Sequence, residues 1–237
     1  MPDALRRGSE KLRAFVEEAP LERASIVAFV AEQARTLAAG ARVLDVGAGA
    51  SPYRELFEAQ VYTSTDHEAS PHGAAVDIVT AGDSIPVADA SFDAVLCTQV
   101  LEHVPDPLAV LRELNRVLVP AGRLIATVPF AWEEHERPHD FYRYTRYGIA
   151  HLLAEAGFDE LDIRPRTDCF TTLAQLVRNA AWVMGSDADG LDELRADARA
   201  VLVEMSDALA SLGPLDVSMI FPLGFTVAAA RTHGGGS

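Results

Sequence analysis

Apolar and polar positions follow two periods along this chain. Ile26, Val27, Val30, Ala34 and Leu37 recur at 3.6-residue spacing, with Glu32, Gln33 and Arg35 on the opposite side. This predicts a helical segment over residues 9–39, stopped by Gly40. Val43-Leu44-Asp45-Val46 is a short apolar run of the kind found in buried strands, and Gly47-Ala48-Gly49 turns sharply after it. Ser51 as N-cap and Pro52 in the first turn predict a short helix to Ala59. Val61–Asp66, Val76–Val79, Phe92–Thr98 and Arg123–Pro129 are the next four strands. An amphipathic helix over Pro107–Leu118 and a turn at Pro120-Ala121-Gly122 separate the last two.

The second half continues the alternation. Ile149, Leu152 and Leu153 mark a helix closed by Gly157, and Leu161–Arg166 is a sixth strand. Two helical stripes follow, one from Leu173 to Met184 and one from Leu191 to Leu209, joined by the polar linker Gly185–Gly190. Met219–Ala229 is the last strand. Strands alternating with helices predict an α/β fold: a Rossmann-like, doubly wound, mainly parallel seven-stranded sheet with helices on both faces. The chain divides into a helical cover (1–40), a nucleotide-binding core (41–168), a helical insertion or cap (169–213), the last core strand (214–231) and a flexible tail (232–237). The inserted pair of helices is suited to capping a substrate or forming a homodimer.

Composition narrows the partners. With 49% hydrophobic residues the chain can bury a sizeable core. A formal charge of −15 disfavours nucleic acid and anionic membrane surfaces. Cys97 and Cys169 make no disulfide framework and fit a reducing compartment. The start, MPDALRRGSEKLR, has no apolar leader run, and Val217–Ala230 is too short to cross a bilayer. A cytoplasmic protein is expected.

Strand, glycine turn and helix start form a nucleotide-binding unit. A dinucleotide would favour a third glycine where Pro52 stands, and its pyrophosphate would be repelled by Asp45. The same carboxylate attracts the ammonium and sulfonium of S-adenosylmethionine (SAM). Asp66, about twenty residues beyond the turn, is placed to accept from both ribose hydroxyls. Asp83 and Ser84 are suited to an adenine amino group.

Four stretches in this order resemble the class I SAM-dependent methyltransferases: VLDVGAGASPY, STDHE, IPVADASFDAVLCTQVLEHVPDP and LRELNRVLVPAGRLIATVPF. The resemblance implies SAM as cofactor, with Asp45, Gly47 and Gly49 along its methionine half, Asp66 on the ribose and Thr98 near the sulfonium. It also implies an antiparallel final strand. Ser51 replaces the third glycine of the family's loop. Ala81 stands where the family's adenine-binding Asp is usual, which leaves Asp83 as a shifted candidate.

Methyl transfer is an in-line displacement, so a protein mainly aligns the partners and removes a proton. The segment after the fifth strand, PFAWEEHERPHDFYRYTRYG, supplies His135 and His139 as candidate bases. A similar HE-x-PHDFYRYT run occurs in one branch of the family. The alternative is a structural latch built on an Arg143–Asp140 pair and packed tyrosines. His135-Glu136-Arg137-Pro138-His139 matches the H-E-x-x-H zincin pattern, but Pro138 breaks the helix that pattern requires. Gln99, Glu102 and His103 resemble the E-x-x-E-H magnesium site of the ubiquinone-pathway O-methyltransferases. Gln99 replaces its first carboxylate, and no metal is expected. The expected function is SAM-dependent methylation of a small molecule at oxygen. The alternatives are a protein or peptide methyltransferase and a non-catalytic SAM-binding scaffold.

Overall fold

Seven strands form one sheet in the order β3-β2-β1-β4-β5-β7-β6. The computed structural model describes residues 8–67, 75–183, 192–216 and 219–232. The strands are β1 (Arg42–Val46), β2 (Val61–Asp66), β3 (Ile78–Val79), β4 (Phe92–Thr98), β5 (Leu118–Pro129), β6 (Phe158–Pro165) and β7 (Gly224–Arg231). β1 to β5 pair in parallel, and β7 inserts antiparallel between β5 and β6. The expected fold class and antiparallel last strand are therefore both present.

Among the described residues, six α-helices flank the sheet: α1 (Glu10–Glu18), α2 (Pro20–Ala34), α3 (Pro107–Val117), α4 (Arg146–Glu155), α5 (Cys169–Val183) and α6 (Asp192–Ser211). Side chains alternate between two cores, as a strand's two-residue period requires. Leu44, Val46, Val95 and Cys97 point to one face, where Leu111, Leu114 and Leu153 of α3 and α4 cover them. Val43, Ala94, Leu96 and Ile125 point to the other, under Leu12, Ile26, Val27 and Val30 of α1 and α2. Each fully buried Leu or Ile contributes about 1.5–3 kcal/mol relative to exposure.

Four expectations need correcting. The segment 9–39 is two helices, because Pro20 lacks the amide that a continuous helix needs and instead starts α2. The helix expected over 52–59 is a single 3₁₀ turn at Arg54–Phe57. Ser51 lies at φ 51°, outside the extended conformation of an N-cap. Pro120-Ala121-Gly122 is a bulge inside β5, where Phe92 pairs with Leu118 and Ala94 with Arg123. The last strand starts at Gly224, since Met219 at φ 50° departs from extended backbone and Ile220 is exposed. The linker 185–190 and the tail residues 233–237 lie outside the described residues. Among the described residues, no helix is long and apolar enough to cross a membrane.

Candidate functional site

The parallel strands converge on one sheet edge, and their carboxyl ends carry the polar residues singled out in the sequence. At the end of β1, the amides of Gly47 and Ala48 both donate to the Thr65 carbonyl, at 2.9 and 3.0 Å. Gly47 takes φ 68°, and a Cβ there would lie 2.4 Å from a Val100 methyl. Position 47 therefore needs glycine for its backbone and for its neighbour.

Asp66, at the end of β2, is fastened to this turn. Its Oδ2 accepts from the Gly49 amide at 2.8 Å and its Oδ1 from the His67 amide at 2.7 Å. The structure thus brings Asp66, Gly47 and Gly49 together.

Asp45 is deeper than expected. Its carboxylate is buried and accepts from the Tyr62 phenol on β2. Burial pushes its pKa up to about 7, with the Tyr62 bond opposing and the Asp66 charge adding to the rise. Thr98, half-buried at the end of β4, faces the phenol of Tyr53, whose pKa burial drives strongly up. Asp83 is exposed on the loop after β3; a Cβ added to neighbouring Gly82 would lie 3.5 Å from Val110 and 3.6 Å from Val46 at the end of β1. A cleft of about 510 Å³ is lined by Lys11, Ser51, Arg54 and Tyr62.

The segment 130–145 contains no helix, which removes the zincin geometry. The Arg143–Asp140 pair of the latch alternative is present. Arg143 donates to Asp140 Oδ1 at 2.6 Å and Oδ2 at 2.8 Å, and to the carbonyls of Trp132 and Glu133. This pairing holds the Asp140 carboxyl far below the ordinary carboxylate range. The Tyr144 phenol donates to the Leu101 carbonyl, and the amides of Phe141 and Tyr142 donate to the Glu102 carbonyl.

The two candidate bases part company here. His139 is exposed, and its backbone carbonyl, not its ring, meets His103 Nδ1 at 2.8 Å. The His135 ring packs edge-on against His103, with centroids 4.7 Å apart. Glu102, in the 3₁₀ turn Leu101–His103, is 0% exposed, and among the described residues neither carboxylate oxygen has a hydrogen-bond partner. Desolvation lifts its pKa to about 8. The sequence placed Glu102 in a magnesium-like run and gave it no role; a carboxylate inside the apolar stretch VLEHV was the available signal. It also missed Tyr62, Tyr53 and the buried Arg166–Glu22 pair, which no local pattern marks.

Comparison with known proteins fits this geometry. Residues 44–126 match the model of a methyltransferase domain. The matched segment holds the glycine turn, Asp66, Asp83, Thr98 and Glu102. Over 105 residues the chain is 38% identical to a ubiquinone biosynthesis O-methyltransferase of Xanthomonas oryzae pv. oryzae, covering 38% of this chain and 44% of that one. A namesake from Xylella fastidiosa is 35% identical over 102 residues, 37% of this chain and 42% of its own. The chain therefore spans less than half the length of the curated relatives it matches.

Solved structures agree on the fold. A SAM-dependent methyltransferase from Archaeoglobus fulgidus superposes with a TM-score of 0.59 at 15% identity, covering 92% of this chain and 99% of that one. The [4+2]-cyclase SpnF gives 0.60 at 21% identity, covering 90% and 82%. The architecture is the class I methyltransferase fold. A cyclase among its neighbours shows that the fold does not by itself fix the reaction.

Proposed function

We propose that this protein transfers the methyl group of SAM to a hydroxyl of a small-molecule acceptor. The observation that carries the reading is the fastening of Asp66 to the Gly47–Gly49 turn, within a segment that matches a methyltransferase domain. The O-methyltransferase relatives support oxygen as the acceptor atom. SAM, when bound, supplies a methyl group on a sulfonium that departs as a neutral thioether.

The residues present suit such a cationic nucleoside. Asp66 is the ribose partner of this reading, held beside the Gly47–Gly49 turn by its bond from the Gly49 amide. The Asp66 carboxylate beside the turn favours a cation over a pyrophosphate, and Asp45 adds to this only where it is ionised, above about pH 7. Asp83 is the adenine partner, and Thr98 closes the site beside Tyr53. His135 is the proton acceptor of this reading, because it faces Glu102 and His103 while the His139 ring does not. The net charge of −15 favours a small acceptor over nucleic acid or an anionic membrane surface. A cytoplasmic location and a homodimer through α5 and α6 belong to the same reading.

Calorimetry with SAM and S-adenosylhomocysteine, on the wild type and Asp66→Ala, tests the cofactor. Both ligands should bind the wild type, and the variant should lose at least tenfold in affinity. Failure of both ligands to bind the wild type overturns the proposal. A metabolite extract and a peptide pool are then incubated with labelled SAM. Label in a small molecule supports the reading, label in peptide moves the acceptor to protein, and SAM binding without transfer leaves a scaffold or another chemistry on this fold.

A further inference from the structure

The buried carboxylate of Glu102 stands out because, among the described residues, neither of its oxygens accepts a hydrogen bond. Buried polar atoms nearly always have partners, and a pair of orphaned carboxylate oxygens points to a group that binds there. Glu102, His103 and His135 each offer a ligand atom, and these atoms lie within 4.8 Å of one another.

The two histidines are set up by their other nitrogen. His103 Nδ1 is 2.8 Å from the His139 carbonyl, so it carries the proton and leaves the Nε2 lone pair free. His103 Nε2 stands 4.0 Å from Glu102 Oε1 and 3.9 Å from Glu136 Oε2. His135 Nδ1 is 3.2 Å from the Glu133 carbonyl and 3.4 Å from Asp140 Oδ2, which assigns its proton in the same way. Arg143 Nη2 also approaches that nitrogen, at 3.4 Å, but is engaged with Glu133 and Asp140. An Nδ1–H held by a carbonyl or carboxylate, with Nε2 presented inward, is how metal-binding histidines are oriented.

An E-x-x-E-H magnesium site does not fit these residues. Gln99, at the position of its first carboxylate, adopts φ 53° and turns its amide to Thr127 Oγ1 at 3.0 Å. The third place is filled instead by His135, from the segment after β5. Two imidazoles and one carboxylate are poor ligands for magnesium, which demands oxygen, and good ligands for zinc or cobalt. We infer that Glu102, His103 and His135 form a binding site for a divalent transition-metal ion of the zinc type. Ligand bonds of about 2.0–2.1 Å bring the three donors to about 3.4 Å from one another, a closure that side-chain rotation can supply. The latch holds one ligand and the end of β4 holds two, so the ion would tie them together. The two roles of His135 exclude one another: it is the proton acceptor of the proposed function only in the metal-free protein, because a bound ion takes its lone pair.

The test uses full-length, tag-free protein stripped with chelator. Cobalt(II) is titrated and its visible d–d absorption recorded, and zinc retained after dialysis is counted by elemental analysis. One equivalent per chain is expected. His135→Ala and Glu102→Gln should each weaken cobalt binding at least tenfold, Gln99→Ala should leave it unchanged, and millimolar magnesium should not compete. SAM calorimetry on the same variants reports folding and keeps this result separate from the methyl-donor reading. Should Glu102→Gln fail to fold, His103→Ala takes its place. Absence of the cobalt spectrum in the wild type, or an equal spectrum in His135→Ala, overturns the inference.

Discussion

Arg166 Nη2 donates to Glu22 Oε1 at 3.2 Å, joining residues 144 positions apart. The Arg166 side chain is 0% exposed, so the pair lies inside the protein between α2 and the end of β6. It sits where Gly224 makes room: a Cβ on residue 224 would be 2.8 Å from the guanidinium. Glu22→Ala leaves a buried guanidinium without its carboxylate and should cost about 3–5 kcal/mol. The double variant Glu22→Met/Arg166→Met should recover part of that loss. Urea unfolding of the singles and the double measures the coupling, and strictly additive losses would show that the pair is unimportant.

Gly47 and Gly82 give a matched contrast. Gly47→Ala meets Val100 at 2.4 Å and forces a positive φ, so it should lose at least about 2 kcal/mol. Gly82→Ala meets Val110 at 3.5 Å and Val46 at 3.6 Å, ordinary contacts, and should change stability by less than about 1 kcal/mol. Urea midpoints for the two variants, read side by side, decide this.

Asp45 should make stability depend on pH. Its pKa in the folded protein is about 7, against about 4 for an unfolded aspartate. Between those values the folded protein holds a proton that the unfolded chain has lost. Stability therefore falls as pH rises from about 4 to 7, and this contribution is flat above. Asp45→Asn should flatten that slope. Tyr62→Phe removes the bond that favours the carboxylate, and the decline should then extend above pH 7. Urea midpoints across the range measure both.

Arg143→Lys should loosen the latch without unfolding the domain. A lysine cannot reproduce the paired bonds to Asp140 together with those to the Trp132 and Glu133 carbonyls. Faster amide exchange confined to residues 133–143 is the expected outcome. Uniformly faster exchange across β4 and β5 would make Arg143 a global stabiliser instead.

The sheet was legible because its strands are short apolar runs punctuated by glycine and proline, and β4 was placed to the residue. Asp66 and the glycine turn were legible because one βα unit sets their spacing. The 3₁₀ turn at Arg54–Phe57 was not, since Ser51 enters a left-handed conformation that no neighbour announces. Partners brought together by the sheet's closure were also hidden. His135 meets Glu102 only because β4 and β5 are adjacent, and Glu22 meets Arg166 only because α2 crosses the end of β6. The same closure separated His135 from His139, which look equivalent in the sequence.

The place of β7 bears on how the chain folds during synthesis. β6 has one neighbour in the sheet, and that neighbour is β7, residues 224–231. The parallel half, β1 to β5, can pair as soon as residue 129 has emerged from the ribosome. β6 must wait, and with it the docking of Arg166 onto Glu22. For about a hundred residues of elongation, β5 presents an unpaired edge, the kind of surface that chaperones shield.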